Sequence, residues 1–165
     1  MRIATTGRTS IADDYRLALR NVLSPVSVVT TFDGGGLPHG TTVSAFIPLS
    51  MDPPLLLVSL ANSSRLLRLL DLGSVFGVNV LTSEQAQLSQ RFAQRSEARW
   101  TGVAWHSTSG APALTERLAY ISAKVWQLAP AGDHTIVIGT VRRADRQFGE
   151  PLTYWQRTFG TFRQH

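Results

Sequence analysis

The stretch SPVSVVTTFDGGGLPHGTTVSAF, residues 24–46, decides the fold. Val26 to Phe32 is rich in β-branched residues and reads as a strand. Asp33-Gly34-Gly35-Gly36 reads as a hairpin turn, and Gly40 to Ile47 as the return strand. The glycine run precedes a strand and does not match G-x-G-x-x-G, which excludes a Rossmann reading of those glycines.

On the N-terminal side, Tyr15, Leu17, Ala18, Val22 and Leu23 recur near the helical period. Asp13 is a candidate cap, and Ser24-Pro25 ends the helix. On the other side, Leu55 to Leu60 is a short apolar run of strand length. Ser63 or Ser64 caps an expected second helix through Leu66, Leu67, Leu69 and Leu70, stopped at Asp71-Leu72-Gly73. Val75 to Leu81 is a strand, and a third helix is expected from Glu84 to about Gln94. Arg95 to Pro112 reads as a polar loop carrying Trp100 and Trp105. Leu118–Leu128 and Thr135–Ala144 read as strands around the turn Pro130–Asp133, and Pro151–Phe162 is a final aromatic segment. These elements predict a mainly β fold, a small antiparallel barrel with about three helices inserted.

The chain has 165 residues, which by length is one domain. Residues 1–10 are expected to be a flexible N-terminal segment and 11–165 the folded domain. There is no Cys, which excludes a disulfide scaffold, a thiolate metal site and a Cys nucleophile. His39, His106, His134 and His165 lie far apart in sequence, so no metal site is expected. No apolar run reaches the ~18 residues of a membrane span, and the first ten residues lack a signal-peptide h-region. The expected location is cytoplasmic. The net charge is +5, and basic residues outnumber acidic ones sixteen to eleven. They are scattered and form no stripe, so a nucleic-acid partner is not expected. Coding bias, a solvated surface and a small anionic ligand all remain open as reasons for the excess.

Several local features bear on a ligand. Thr41, Thr42 and Ser44 place hydroxyls along one strand, which an ordinary β-branched strand would also do. Ala61-Asn62-Ser63-Ser64 joins a buried strand to an expected helix start, which is either an anion site or simple capping. Arg91-Phe92-Ala93 ends the third helix. His134 follows a glycine turn at a strand mouth. A hydrolase triad of Ser44, His134 and Asp133 lacks a nucleophile elbow, and neighbours such as Asp133 and His134 usually point apart.

In order along the chain, residues 24–46, LSMDPPLLLVSLANSS (49–64), FGVNVL (76–81), QRFA (90–93), AGDHTIVIGTV (131–141) and PLTYWQRTF (151–159) resemble the short-chain flavin reductase family. These are the reductase components of two-component flavin-dependent monooxygenases. The resemblance runs from about Asp13 to Phe162. It implies an antiparallel Greek-key split β-barrel that binds FMN or FAD, is reduced by NADH or NADPH, and works as a homodimer. It implies a flavin-dependent monooxygenase as the partner receiving reduced flavin. Thr41, Thr42, Val43, Ser44 and Ala45 would line the flavin ring. Ala61, Asn62, Ser63 and Ser64 would belong to the phosphate loop, with the last three meeting the phosphate. Arg91, Phe92 and Ala93 would add flavin contacts. His134 would sit at the nicotinamide as the catalytic residue, and Tyr154 would border the same site, sometimes from the partner subunit. The family often has Ser at the Ala45 position, and Ile47-Pro48-Leu49 replaces a more polar stretch. A flavin carrier or sensor without reductase turnover, and a split-barrel oxidase with tightly bound FMN, are the alternatives.

Overall fold

Strand β2 (Ser27–Phe32) pairs antiparallel with β3 (Pro38–Val43), from Ser27 opposite Val43 to Phe32 opposite Pro38. The Asp33 carboxylate closes the turn between them, with Oδ1 accepting from Gly35 N and Leu37 N, both at 2.9 Å. Of the three turn glycines only Gly36 takes a left-handed conformation, at φ +80°. The computed structural model describes residues 10–162, so the expected N-terminal segment lies, except for Ser10, outside the described residues.

The chain continues through β4 (Phe46–Met51), β5 (Pro54–Ala61), β6 (Val75–Val80), β7 (Trp105–Thr108), β8 (Ala111–Leu114), β9 (Ala119–Ala131) and β10 (His134–Arg146). Seven of these strands form one antiparallel sheet in the order β3-β2-β6-β9-β10-β5-β4. Its two edge strands, β3 and β4, are separated in the chain only by Ser44 and Ala45. In a flat sheet those edges would stand about 29 Å apart, at about 4.8 Å per strand spacing. The link from Val43 to Phe46 spans at most about 11 Å. The sheet therefore curls until its edges nearly meet. They do not pair; Ser59 N donates to Ala45 O at 3.0 Å, which carries the β4–β5 ladder one residue back toward the break. This is the split antiparallel barrel that the resemblance implied.

Val29, Val58, Phe76, Val78 and Val137 fill the barrel. Val26 and Val28, on the other face of β2, join Leu81, Phe92, Leu114 and Leu152 in a second core. This second core lies under α2 (Ala86–Ala93) and the outer strand β11 (Leu152–Trp155), which pairs with β12 (Thr158–Thr161) and with the short β1 (Ser24–Pro25).

Among the described residues two α-helices stand where about three were expected. The first, α1, runs Ile11–Leu19 and is capped by Ser10, whose hydroxyl accepts from Asp13 N, so Asp13 is not the cap. The second expected helix is one 3-10 turn, Leu67–Leu69. Too few residues separate Ser64 from Asp71 to repay helix nucleation, and burying Leu66 and Leu70 fixes the turn instead. The third begins as a 3-10 turn, Ser83–Gln85, with a Thr82–Gln85 capping box before α2. The expected loop 95–112 holds a 3-10 turn, Glu97–Trp100, and most of the β7–β8 hairpin. Among the described residues no helix is long and apolar enough to cross a membrane.

Candidate functional site

The split in the barrel opens onto a groove of about 770 Å³, a size suited to a cofactor. Its floor is β3 from Gly40 to Val43, continued through Ser44 and Ala45. Because β3 is a sheet edge, one side of its backbone is free to bond a ligand. One wall is the end of β5 with the loop Ser63–Leu66, and the other is the segment after α2, Ala93 to Trp100. His134 closes one end, and the β2–β3 turn with Asp33 and His39 closes the other.

The structure brings together Thr41, Thr42, Val43, Ser44, Ala45, Ala61, Ser63, Ser64, Ala93 and His134 around this groove. Their roles differ. Val43 is buried and offers backbone. Thr42 Oγ1 donates to Ser89 O at 2.6 Å, tying the floor to α2. Ser44 and Ala45 are exposed where β3 breaks away from β4. No α-helix follows Ser64, so the helix-terminus argument for an anion there lapses.

The positive charge comes from Arg65, Arg95 and Arg99, which sequence reasoning did not single out. Arg99 is fixed by three carbonyls. Its Nε donates to Ser96 O at 2.8 Å, and its two Nη groups to Gly40 O at 2.6 Å and Gln94 O at 2.7 Å. Burial, then the nearby Arg65 charge, holds the Arg99 guanidinium below the usual arginine value. Trp100 also lines the groove, and its Nε1 is buried without a partner.

His134 opens β10, opposite Ala61 of β5. Its Nδ1 lies 2.7 Å from Asp133 Oδ1, so these neighbours do not point apart. That hydrogen bond, then the His134 charge, holds the Asp133 carboxyl below the ordinary carboxylate value. With the proton on Nδ1, the His134 Nε2 is left to accept.

Four expected residues lie away from the groove surface. Phe92 has no exposed surface and meets Trp100 edge-on at 4.9 Å beneath the floor. The Arg91 guanidinium donates to Ala98 O and Thr101 O. Asn62 Nδ2 donates to Gly132 O at 3.1 Å, and its Oδ1 accepts from Thr135. Tyr154 packs on Phe159 at 5.2 Å in the sheet of β1, β11 and β12.

A model of the flavin reductase like domain matches residues 19–163. The actinorhodin polyketide dimerase of Streptomyces coelicolor is 37% identical over 146 residues, covering 87% of this chain and 82% of that protein. The NADH:FMN oxidoreductase of Rhodococcus qingshengii is 35% identical over 150 residues, covering 87% and 78%. The NADH:FAD oxidoreductase of Streptomyces globisporus C-1027, solved with NAD and FAD fragments, aligns with a TM-score of 0.85 at 27% identity over 96% of this chain and 98% of that one. The flavin reductase component of a bacterial two-component tryptophan halogenase aligns with a TM-score of 0.82 at 29% identity over 93% and 99%. With a split barrel, a groove at its break and likeness over most of the length of these proteins, the chain belongs to the flavin reductase like domain family.

Proposed function

We propose that this protein is an NAD(P)H-dependent flavin reductase that carries hydride from NADH or NADPH to FMN or FAD and releases reduced flavin to a separate flavin-dependent monooxygenase. The observation that carries this reading is the groove, where a free strand edge faces a phosphate-sized set of hydroxyls and arginines, with one histidine at the end.

These residues fit a flavin. The backbone of Ser44 and Ala45 and the Thr41 hydroxyl are placed to bond the polar edge of a flat ring. Ser63, Ser64 and Arg65 are placed to hold a phosphate, where charge-assisted bonds are the strong ones. The flavin itself supplies the hydride-accepting ring. The protein supplies position, since holding donor and acceptor in register removes most of the entropic barrier. His134, held by Asp133, is placed to bond the nicotinamide or cover the stack. The anchoring is polar and open, which suits a flavin that must leave. The halogenase reductase among the structural relatives supports the partner class.

The working form in this reading is a homodimer. Helix α1 buries no residue in its own chain, and Tyr154 does not line this chain's own groove. The test is stopped-flow oxidation of NADH and NADPH with added FMN or FAD. Flavin-dependent turnover is expected, and His134→Ala should slow hydride transfer or weaken nicotinamide binding while flavin affinity holds. No oxidation with either flavin overturns the reading.

A further inference from the structure

The two edges of the barrel approach each other and stay unpaired. We infer that Arg99 is a positioning residue: together with Pro48 it keeps β3 and β4 from pairing, and so holds the groove open for its ligand. The effect on the ligand rests on the flavin reading of the groove.

One bond fixes the pairing phase of each edge. Asp33 N donates to Leu37 O at 3.0 Å. Antiparallel pairs alternate between bonded and unbonded, so Thr31–His39, Val29–Thr41 and Ser27–Val43 are the bonded pairs of β2 and β3. Pro38, Gly40 and Thr42 therefore turn their backbone groups away from β2, toward the break. On the other edge Ser59 N donates to Ala45 O. Ile47 is then bonded to Leu57, and Phe46 and Pro48 turn their backbone groups to the break.

Closing the break needs outward-turned residues opposite each other. The shortest connection that meets this condition pairs Thr42 with Phe46 across a loop of three residues, Val43 to Ala45, and places Gly40 opposite Pro48. Gly40 O would then need the N–H of residue 48, and proline has none. The same carbonyl accepts instead from Arg99 Nη1 at 2.6 Å. One residue withholds the donor and the other occupies the acceptor. Arg99 is braced for this. Its Nε and second Nη group donate to Ser96 O and Gln94 O of its own segment, and Arg91 of α2 holds Ala98 O and Thr101 O. The turn is withheld as well. Three-residue hairpin loops characteristically place one residue in the left-handed region, and none of Val43, Ser44 and Ala45 takes that conformation. Thr42, on the groove floor, thus keeps its N–H and C=O for a ligand instead of a strand.

Amide hydrogen exchange on the ligand-free full chain, read by mass spectrometry, and riboflavin titration test this. The variants are Arg99→Leu, Pro48→Val and the two together. The double variant frees the acceptor and restores the donor. We expect its amides over 40–48 to exchange about tenfold slower than in the wild-type protein and riboflavin to bind about tenfold weaker, while the melting temperature holds or rises. A merely structural role for Arg99 would speed exchange and lower the melting temperature. The single changes should together account for less than half of either effect, because each leaves one obstacle in place. A folded double variant that exchanges over 40–48 as fast as the wild-type protein and binds riboflavin as well overturns the inference, as do additive single effects. Should the double variant not fold, Pro48→Val alone decides. Its exchange over 40–48 is expected to be unchanged while Arg99 holds Gly40 O, and slower exchange there overturns the assignment to Arg99. A wild-type protein that binds neither riboflavin nor FMN sinks the flavin reading instead, and the exchange result, which needs no ligand, still decides this one.

Discussion

Thr135 Oγ1 donates to Asn62 Oδ1 at 2.9 Å, tying the end of β5 to the first residues of β10. The other end of the carboxamide bonds Gly132 O, and Asn62 N donates to Asp133 O at 2.9 Å. Both ends of the Asn62 carboxamide are thus engaged within the chain, leaving one Nδ2 hydrogen. Asn62 grips the turn that carries His134, which predicts a positioning role. Asn62→Ala should change the Kd of FMN and of riboflavin by the same small factor, while kcat/KM for NADH falls by about tenfold. A direct phosphate contact would give the opposite pattern, with FMN about tenfold weaker and riboflavin unchanged. Fluorescence quenching with the two flavins separates these outcomes.

Acid should act on the other end of the groove. The Asp33 carboxyl lies below its ordinary 3.8, first because His39 bonds it and then because Leu37 N does. A carboxyl depressed in the folded state binds fewer protons there than in the unfolded chain. Its stabilising contribution is complete above the unfolded value and is lost as pH falls through the folded one. Asp33→Asn should therefore lower the urea midpoint at about pH 5, with the gap closing as pH falls below about 4. A gap that is unchanged at the lowest pH would show that the charge of Asp33 contributes nothing to folding.

The β2–β3 hairpin was legible because β-branched residues and a Gly-rich turn state it locally. Thr41 to Ala45 were marked as ring-lining residues only through the family resemblance that this stretch carries. The β7–β8 hairpin was not legible, since Ala-Pro-Ala-Leu has no strand signature. Its place is set from afar, by Thr30 Oγ1 on Pro112 O and by Asn79 Oδ1 receiving Leu114 N. Arg65, Arg95 and Arg99 look like any other arginines in sequence. Only the curl of the sheet brings their segments onto one groove. Phe92, for which the resemblance implied flavin contacts, lies with no exposed surface in the core under α2.

The floor also depends on what is missing at Gly40. A Cβ there would stand 2.8 Å from Phe92 Cε1 and 3.2 Å from Trp100 Cζ2. Neither ring has room to retreat, since Phe92 is fully buried and Trp100 packs on Trp105 at 5.8 Å. Gly40→Ala should cost about 1–3 kcal/mol and weaken flavin binding by shifting the Trp100 wall. Gly34→Ala is the control, with nothing within 4 Å of its Cβ. It should leave stability unchanged or raise it by about 0.5 kcal/mol. Thermal melts and flavin titrations of the pair give the comparison, and equal effects would remove the packing argument.

Helix α1 poses a packing problem that one chain does not solve. Ile11, Tyr15 and Leu19 recur every four residues and are 90%, 63% and 47% exposed, with Val22 and Leu23 exposed beyond them. A helix of nine residues is marginal in water without an apolar face to bury. A second copy covering this stripe would supply that burial. Sedimentation at micromolar concentration should give a dimer, and the double change Tyr15→Glu and Leu19→Glu should give a monomer. Neither side chain is buried in its own chain, so the variant should keep its fold. Its melting temperature should lose the concentration dependence that a dimer imposes. Reductase turnover should fall with dimer content if Tyr154 acts across the interface. A wild-type protein that sediments as a monomer at high concentration, with full turnover, would refute both the dimer and the shared site.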